Sequence, residues 1–225
     1  MFERTNLIIN KEDMEKIRNT KILLVGVGGV GCSCLEALVR LGYINITIID
    51  NDIFDISNLN RQLFSNINNI GQYKVLEAQK RAKSINPDIL LKTYQMFLDE
   101  SNIDEIEINE YDFIIDACDS VNTKLLLMKK AIEHNINTIS SMGTGRRIDP
   151  TKLIITNIWK TNNDPLAKKM RKLLKDNHIN KKIPVVTSTE LPIKTNTTTI
   201  GSCYLVPNAA GIILASYILN NTIKK

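Results

Sequence analysis

The sequence predicts an α/β fold: a doubly wound, largely parallel mixed sheet with a buried C-terminal helix. Three observations predict it. Aliphatic runs alternate with helical segments over the first two thirds of the 225 residues, the order that builds a parallel sheet covered on both faces. A glycine-rich turn, Gly26 to Gly31, joins the first of those runs to a helical pattern. Cys203 to Leu219 is almost continuously apolar and alanine-bearing, as a buried helix requires.

Taken in order, a helix over 11–19 leads into a strand at 21–26, and a helix over 31–41 follows the glycine turn. A strand at 45–50, a helix at 71–85 and strands at 89–94 and 112–117 come next. Asp119 or Ser120 can cap a helix over 121–134, which precedes a strand at 136–141. After Pro150 the pattern changes: strands at 153–158 and 183–188 flank a helix at 164–176, and Pro192 to Gly201 is a polar, threonine-rich loop. No linker, repeat or composition break interrupts the chain, so a single domain over 1–225 is expected.

With 43% hydrophobic and 24% charged residues, the composition is that of an ordinary globular protein. The first 21 residues carry charges throughout and lack the apolar core of a signal peptide. No apolar stretch reaches the roughly 20 residues of a membrane helix, and a cytoplasmic protein without membrane association is expected. Cys32, Cys34, Cys118 and Cys203 form no CxxC pair, which argues against both a disulfide framework and a structural zinc. His134 and His178 are isolated and read as surface residues.

The run KILLVGVGGVG carries the first functional signal. A strand ends at Gly26, and Gly28, Gly29 and Gly31 open a helix whose free N–H groups can receive phosphate. Asp50 closes the next strand, nineteen residues after Gly31, where a carboxylate accepts hydrogen bonds from ribose hydroxyls. This Rossmann-like arrangement indicates a nucleotide, and taken alone it suggests a nicotinamide dinucleotide. The plainer alternative is a glycine turn that binds nothing.

Neighbouring residues change which nucleotide is expected. DNDIFDISNLNRQLF supplies Asp52, Ser57, Asn58, Asn60, Arg61 and Gln62; IGQYK places Lys74 near a helix start; IDACDSVNTK puts Asp116, Asp119 and Ser120 at a strand end. Singly, Arg61 and Lys74 read as solvated helix-end charges and Asp119 as an N-cap. Together, at the carboxyl ends of strands, they fit phosphate-binding cations and a carboxylate able to hold Mg²⁺, the parts of a nucleoside triphosphate site.

GVGGVG, D-x-D, SNLNRQ, GQYK and DACDS occur here in an order that resembles the ubiquitin-activating-enzyme-like, ThiF-type adenylation superfamily. Its members use Mg–ATP to adenylate a carboxylate and release pyrophosphate. The resemblance implies an ATP site formed by Gly26, Gly28, Gly29, Asp50, Asp52, Ser57, Asn58, Asn60, Arg61, Lys74, Asp119 and Ser120, with Asp119 on the Mg²⁺. It implies catalytic roles for Arg61, Lys74 and Asp119, and a homodimer in which Arg4 extends into the partner's site.

The second half narrows the resemblance. MGTGRRIDPTKLIITNIWKTNNDPLAKKMRKLLK, VVTSTE and GSCYLVPNAAGIILASYIL are similar to the tRNA threonylcarbamoyladenosine dehydratase branch. That branch activates the carboxylate of a modified adenosine in the tRNA anticodon loop and closes a ring, so tRNA is the implied partner. No enzyme thiol need intervene, which suits a chain without zinc pairs and with only Cys203 in its second half. The resemblance admits a sulfur-relay protein as a further partner. Backbone carbonyls from Gly201 to Val206 could form a monovalent-cation site for K⁺ or Na⁺. Arg146, Arg147, Lys168, Lys169, Arg171, Lys172 and Lys175 read either as a solvated face or as a footprint for RNA phosphates. The rival readings are an activator of a ubiquitin-like or sulfur-carrier protein, an NAD-dependent oxidoreductase and a silent ATP-binding scaffold.

Overall fold

The computed structural model describes residues 1–223. Seven strands, β1 (Lys21–Val25), β2 (Asn45–Ile49), β3 (Leu90–Tyr94), β4 (Phe113–Asp116), β5 (Asn137–Ser141), β6 (Leu153–Asn157) and β7 (Pro184–Ser188), form one sheet in the order β3-β2-β1-β4-β5-β7-β6. All pairings are parallel except β6 with β7. The six α-helices are α1 (Lys11–Asn19), α2 (Gly29–Leu41), α3 (Lys74–Ile85), α4 (Val121–Glu133), α5 (Pro165–Asp176) and α6 (Leu205–Thr222). The expected α/β fold with a mixed sheet is therefore present.

β1 shows why the sheet is covered twice. Ile22 and Leu24 point into a core with α1, α2, α3 and α6, while Leu23 and Val25 face α4 and the segment around Ile103 to Ile108. A third cluster, on the same face as α4, joins α5, Ile183 and Val185 to Met128. All-apolar strands are the signature of a parallel sheet buried on both faces. The C-terminal helix begins two residues later and ends three residues later than its apolar run indicates, and Cys203 lies before it rather than inside it.

Helix α6 packs tightly on α2. A Cβ on Gly211 would lie 2.2 Å from the Val30 carbonyl oxygen, so only glycine permits this approach. The sheet reverses its winding between β1 and β4, and that switch point is where open α/β sheets bind ligands. In register, Val25 lies beside Ile49 and beside Asp116. Gly26, Asp50 and Ala117 consequently emerge side by side from the sheet.

Candidate active site

The glycine turn begins at Gly26, whose φ of +93° belongs to the left-handed region that glycine tolerates. A Cβ there would lie 2.7 Å from the backbone of Ala117 and Cys118, so the turn also needs glycine for the close approach of the β4 end. Gly28 precedes α2 without a side-chain cap, leaving the first N–H groups of the helix open to an anion. Asp50 holds this turn: Oδ2 accepts from the Val27 amide at 2.6 Å and Oδ1 from the Asp52 amide at 2.8 Å. Burial raises its pKa, with the positive charge of Lys74 acting in the opposite direction. Each carboxylate oxygen keeps a further lone pair for a ribose hydroxyl.

Lys74 is the first residue of α3 and is 5% exposed. Its ammonium donates to Asp52 Oδ2 at 2.7 Å. Arg61 donates through Nη1 to the Ser57 carbonyl at 2.6 Å and to Asn60 Oδ1 at 3.0 Å. Asn58 Oδ1 accepts from the Asp55 amide, closing a capping box, so this side chain shapes the 55–58 turn. Asn60 Nδ2 reaches the Ser202 carbonyl at 2.8 Å and ties the turn to the segment before α6.

The two candidate caps of α4 are now separated. Ser120 accepts from the Thr123 amide at 3.3 Å and is the N-cap, while Asp119 is exposed and makes no hydrogen bond or ion pair among the described residues. Beneath it lies a sealed cluster. Asp116, at the end of β4, receives Lys124 on both carboxylate oxygens at 3.1 Å, and Lys124 also donates to the Ser141 carbonyl at 2.7 Å. Asp116 accepts from the Cys118 amide as well, at 3.2 Å, and so fixes the turn that presents Asp119. Asp116 is therefore structural, in contrast to Asp119.

Sequence reasoning named Gln62 without giving it a role and missed Asn208 and Lys124. Gln62 is buried, with its Nε2 at 3.8 Å from where a Gly28 Cβ would lie, and its Oε1 has no partner among the described residues. Asn208, a buried amide in the apolar α6, donates to the Arg61 carbonyl at 2.8 Å and bonds to Ser33 of α2. Lys124 is hidden in α4, where a lysine reads as surface charge. A lone polar residue in an otherwise apolar helix was the available signal for Asn208.

Arg4 is not brought to this site. It is exposed and lies two residues from Phe2, which packs near Gly42 at the far end of α2, about 20 Å away along a helix of 13 residues. Arg147, grouped by sequence with surface cations, is 2% exposed and donates to the carbonyls of Gly143, Asn163 and Glu190. It closes the loop after β5 and presents nothing to a ligand. The carbonyls of Gly201, Ser202 and Tyr204 each already accept a hydrogen bond, from Arg146, Asn60 and Asn208 respectively. Cavities of about 190 and 410 Å³ lie elsewhere, one at the opposite strand ends by Lys21 and Asn45, the other beside Asp99 and Asn122. The strand ends around Gly26, with their open amides and aligned side chains, carry the chemistry that those cavities lack.

Burial raises the thiols of Cys32, to about 12, and of Cys34 and Cys118. Cys203 is partly exposed and lies 3.5 Å from the Arg147 carbonyl. Among the described residues no group of three or more His, Cys, Asp or Glu is placed to hold a metal, and no helix is long and apolar enough to cross a membrane.

Known proteins resemble this chain in sequence and fold. The ThiF family profile matches residues 2–213. The tRNA threonylcarbamoyladenosine dehydratase of Bacillus subtilis is 39% identical over 85% of this chain and 76% of its own length. The Escherichia coli protein of that name is 34% identical over 77% of this chain and 65% of its own. Its crystal structure in complex with ATP superposes with a TM-score of 0.93 and 30% identity, covering 99% of this chain and 93% of that one.

Proposed function

The chain belongs to the ThiF family, and from that premise we propose that it is an ATP-dependent tRNA threonylcarbamoyladenosine dehydratase. The observation that carries the reading is the convergence at one switch point of the open glycine turn, Asp50, Lys74 and an uncommitted Asp119. The residues 1–225 act as one adenylation domain.

The reaction needs no enzyme nucleophile. A carboxylate oxygen of the modified nucleoside attacks the α-phosphorus of ATP, and pyrophosphate leaves. A nucleophile within the same nucleoside then attacks the acyl-adenylate, and AMP departs with that carboxylate oxygen. The product is a ring lighter by one water. Ring closure within one bound molecule benefits from high effective concentration, which suits a chain whose Cys32, Cys34 and Cys118 thiols are held protonated by burial.

The protein's share is positioning and charge. The α2 amides and Lys74 hold phosphate, Arg61 neutralises charge that builds on it, and Asp50 orients the ribose. Asp52, Ser57, Asn58, Asn60 and Ser120 shape that floor, and Gln62 offers its unpartnered oxygen to the nucleotide. Asp119, exposed and free of the helix cap, fits the single carboxylate that Mg²⁺ takes alongside nucleotide phosphates; bound there, the ion would neutralise phosphate charge. A K⁺ or Na⁺ ion would draw on the second lone pairs of the Gly201 and Ser202 carbonyls.

A homodimer completes the assignment. Ile56, Ile67 and Ile212 are 68%, 72% and 57% exposed, apolar side chains that a second copy would cover. Arg4, remote from its own site, would then serve the partner's. A cytoplasmic setting and a sulfur-relay protein as an accessory partner complete the reading. Incubation with Mg–ATP and threonylcarbamoyladenosine-containing tRNA should yield AMP, pyrophosphate and a nucleoside lighter by one water, read by mass spectrometry. Absence of that product with competent tRNA overturns the assignment.

A further inference from the structure

The chain's net charge of +5 has an uneven source. Residues 160–182 hold eight Lys and Arg against two acids, so this stretch carries a charge of +6, and the remainder of the chain is close to neutral. Lysine is abundant throughout, but elsewhere it is answered by acids. In α1, Lys16 pairs with Glu12 and Asp13; in α2, Arg40 pairs with Glu36; in α3, Lys80 pairs with Glu77.

Helix α5 differs from all three. Lys168, Lys172 and Lys175 recur at helical spacing on its solvent face, flanked by Lys169, and all four are exposed. None forms an ion pair among the described residues, whose ion pairs all involve other side chains. Lys181 and Lys182, exposed in the following loop, extend the row. The opposite face, with Ala167, Met170 and Leu174, is sealed in the core. Arg171 is diverted to the Thr161 carbonyl and takes no part.

This row is fixed to the active-site side of the sheet. Asp164 caps α5 and accepts from the Gly143 amide at 3.0 Å and the Thr187 hydroxyl at 2.8 Å. Gly143 follows β5 on the same side as Asp119 follows β4, and adjacent strands lie about 5 Å apart. The basic row thus starts beside the strand ends that carry the chemistry and runs about 18 Å away from them over 12 residues.

We infer that the exposed face of α5, continued by Lys181 and Lys182, docks the phosphate backbone of the tRNA arm flanking the modified nucleoside. The inference rests on tRNA being the substrate. An unneutralised lysine row matches a polyanion in sign, and its attachment beside β4 and β5 lets the nucleoside reach the ATP while the arm lies along the helix. Phosphate contacts of this kind position without reading sequence.

The test compares the full-length protein with K168A/K169A/K172A/K175A and with a charge-matched control, K11A/K16A/K80A/K83A, whose lysines are also exposed. Each neutralised phosphate contributes about 0.9 to the slope of log affinity against log salt for a duplex. The α5 variant should bind modified tRNA at least 10-fold more weakly near 0.15 M salt, with a slope shallower by about three. Its Kd for ATP should stay at the wild-type value, and the control should match wild type in all three. An unchanged slope in the α5 variant, with wild type converting the tRNA, overturns the docking surface alone. Equal losses in the control and the α5 variant overturn it too. Wild-type protein that neither binds nor converts the tRNA overturns both this surface and the proposed reaction.

Discussion

Two lysine–aspartate pairs flank the nucleotide turn, and they are built to opposite ends. Lys124 and Asp116 are 0% and 1% exposed, and the lysine is surrounded by acceptors on β4 and β5. Lys74 and Asp52 sit closer together, at 2.7 Å, but the aspartate is 57% exposed. In the first pair each charge has only the other, and desolvation makes separation expensive. In the second, water screens the carboxylate, so the ammonium loses little on exchanging it for phosphate. One pair holds a turn still; the other leaves its cation free for the role proposed for it.

Five variants would break or sharpen that contrast. The largest effect is expected from K124M, which leaves Asp116 buried without a counter-charge and should cost about 3–5 kcal/mol in urea unfolding. Adding D116N to it should recover much of that loss, because two uncharged groups replace one stranded charge. Next comes K74M, expected to lower tRNA conversion by roughly 10²–10³-fold, the loss typical of one removed charge-stabilising donor. Its thermal midpoint should move far less than that of K124M. S120A should cost about 1 kcal/mol through the lost cap of α4, read by the same urea titration. The smallest change is expected from D52N: about 1 kcal/mol or less in stability and conversion within a few-fold of wild type. A D52N enzyme as impaired as K74M would show that the aspartate acts on the nucleotide directly.

The same contrast marks what could be read from the sequence. The β1–turn–α2 unit was legible because apolar period and glycine spacing are local, and the structure places Gly26, Asp50 and Ala117 level, as that unit requires. The pair at Asp116 and Lys124 was not legible: a lysine in an amphipathic helix looks solvated, and its partner comes from a different element. Arg147 misled for the same reason, since charge in a glycine-bearing loop suggests surface, whereas three backbone carbonyls enclose it. Ser120 and Asp119 are both good caps by composition, and only geometry chose between them. The bounds of α6 shifted because an apolar run records composition: Cys203 and Tyr204 extend the run ahead of the helix, and burial ends at Ile218 while the helix continues through polar residues to Thr222.

Asn208 sets an order of events. The glycine turn and Arg61 leave the ribosome early, yet the amide that steadies Arg61 and the glycine that admits α2 belong to α6, with Asn208 lying 175 positions beyond its α2 partner Ser33. Because chains are made from the N-terminus and fold as they emerge, a nascent chain can build most of the sheet while its nucleotide turn still lacks its support. The nucleotide turn therefore gains this support only once α6 has been made.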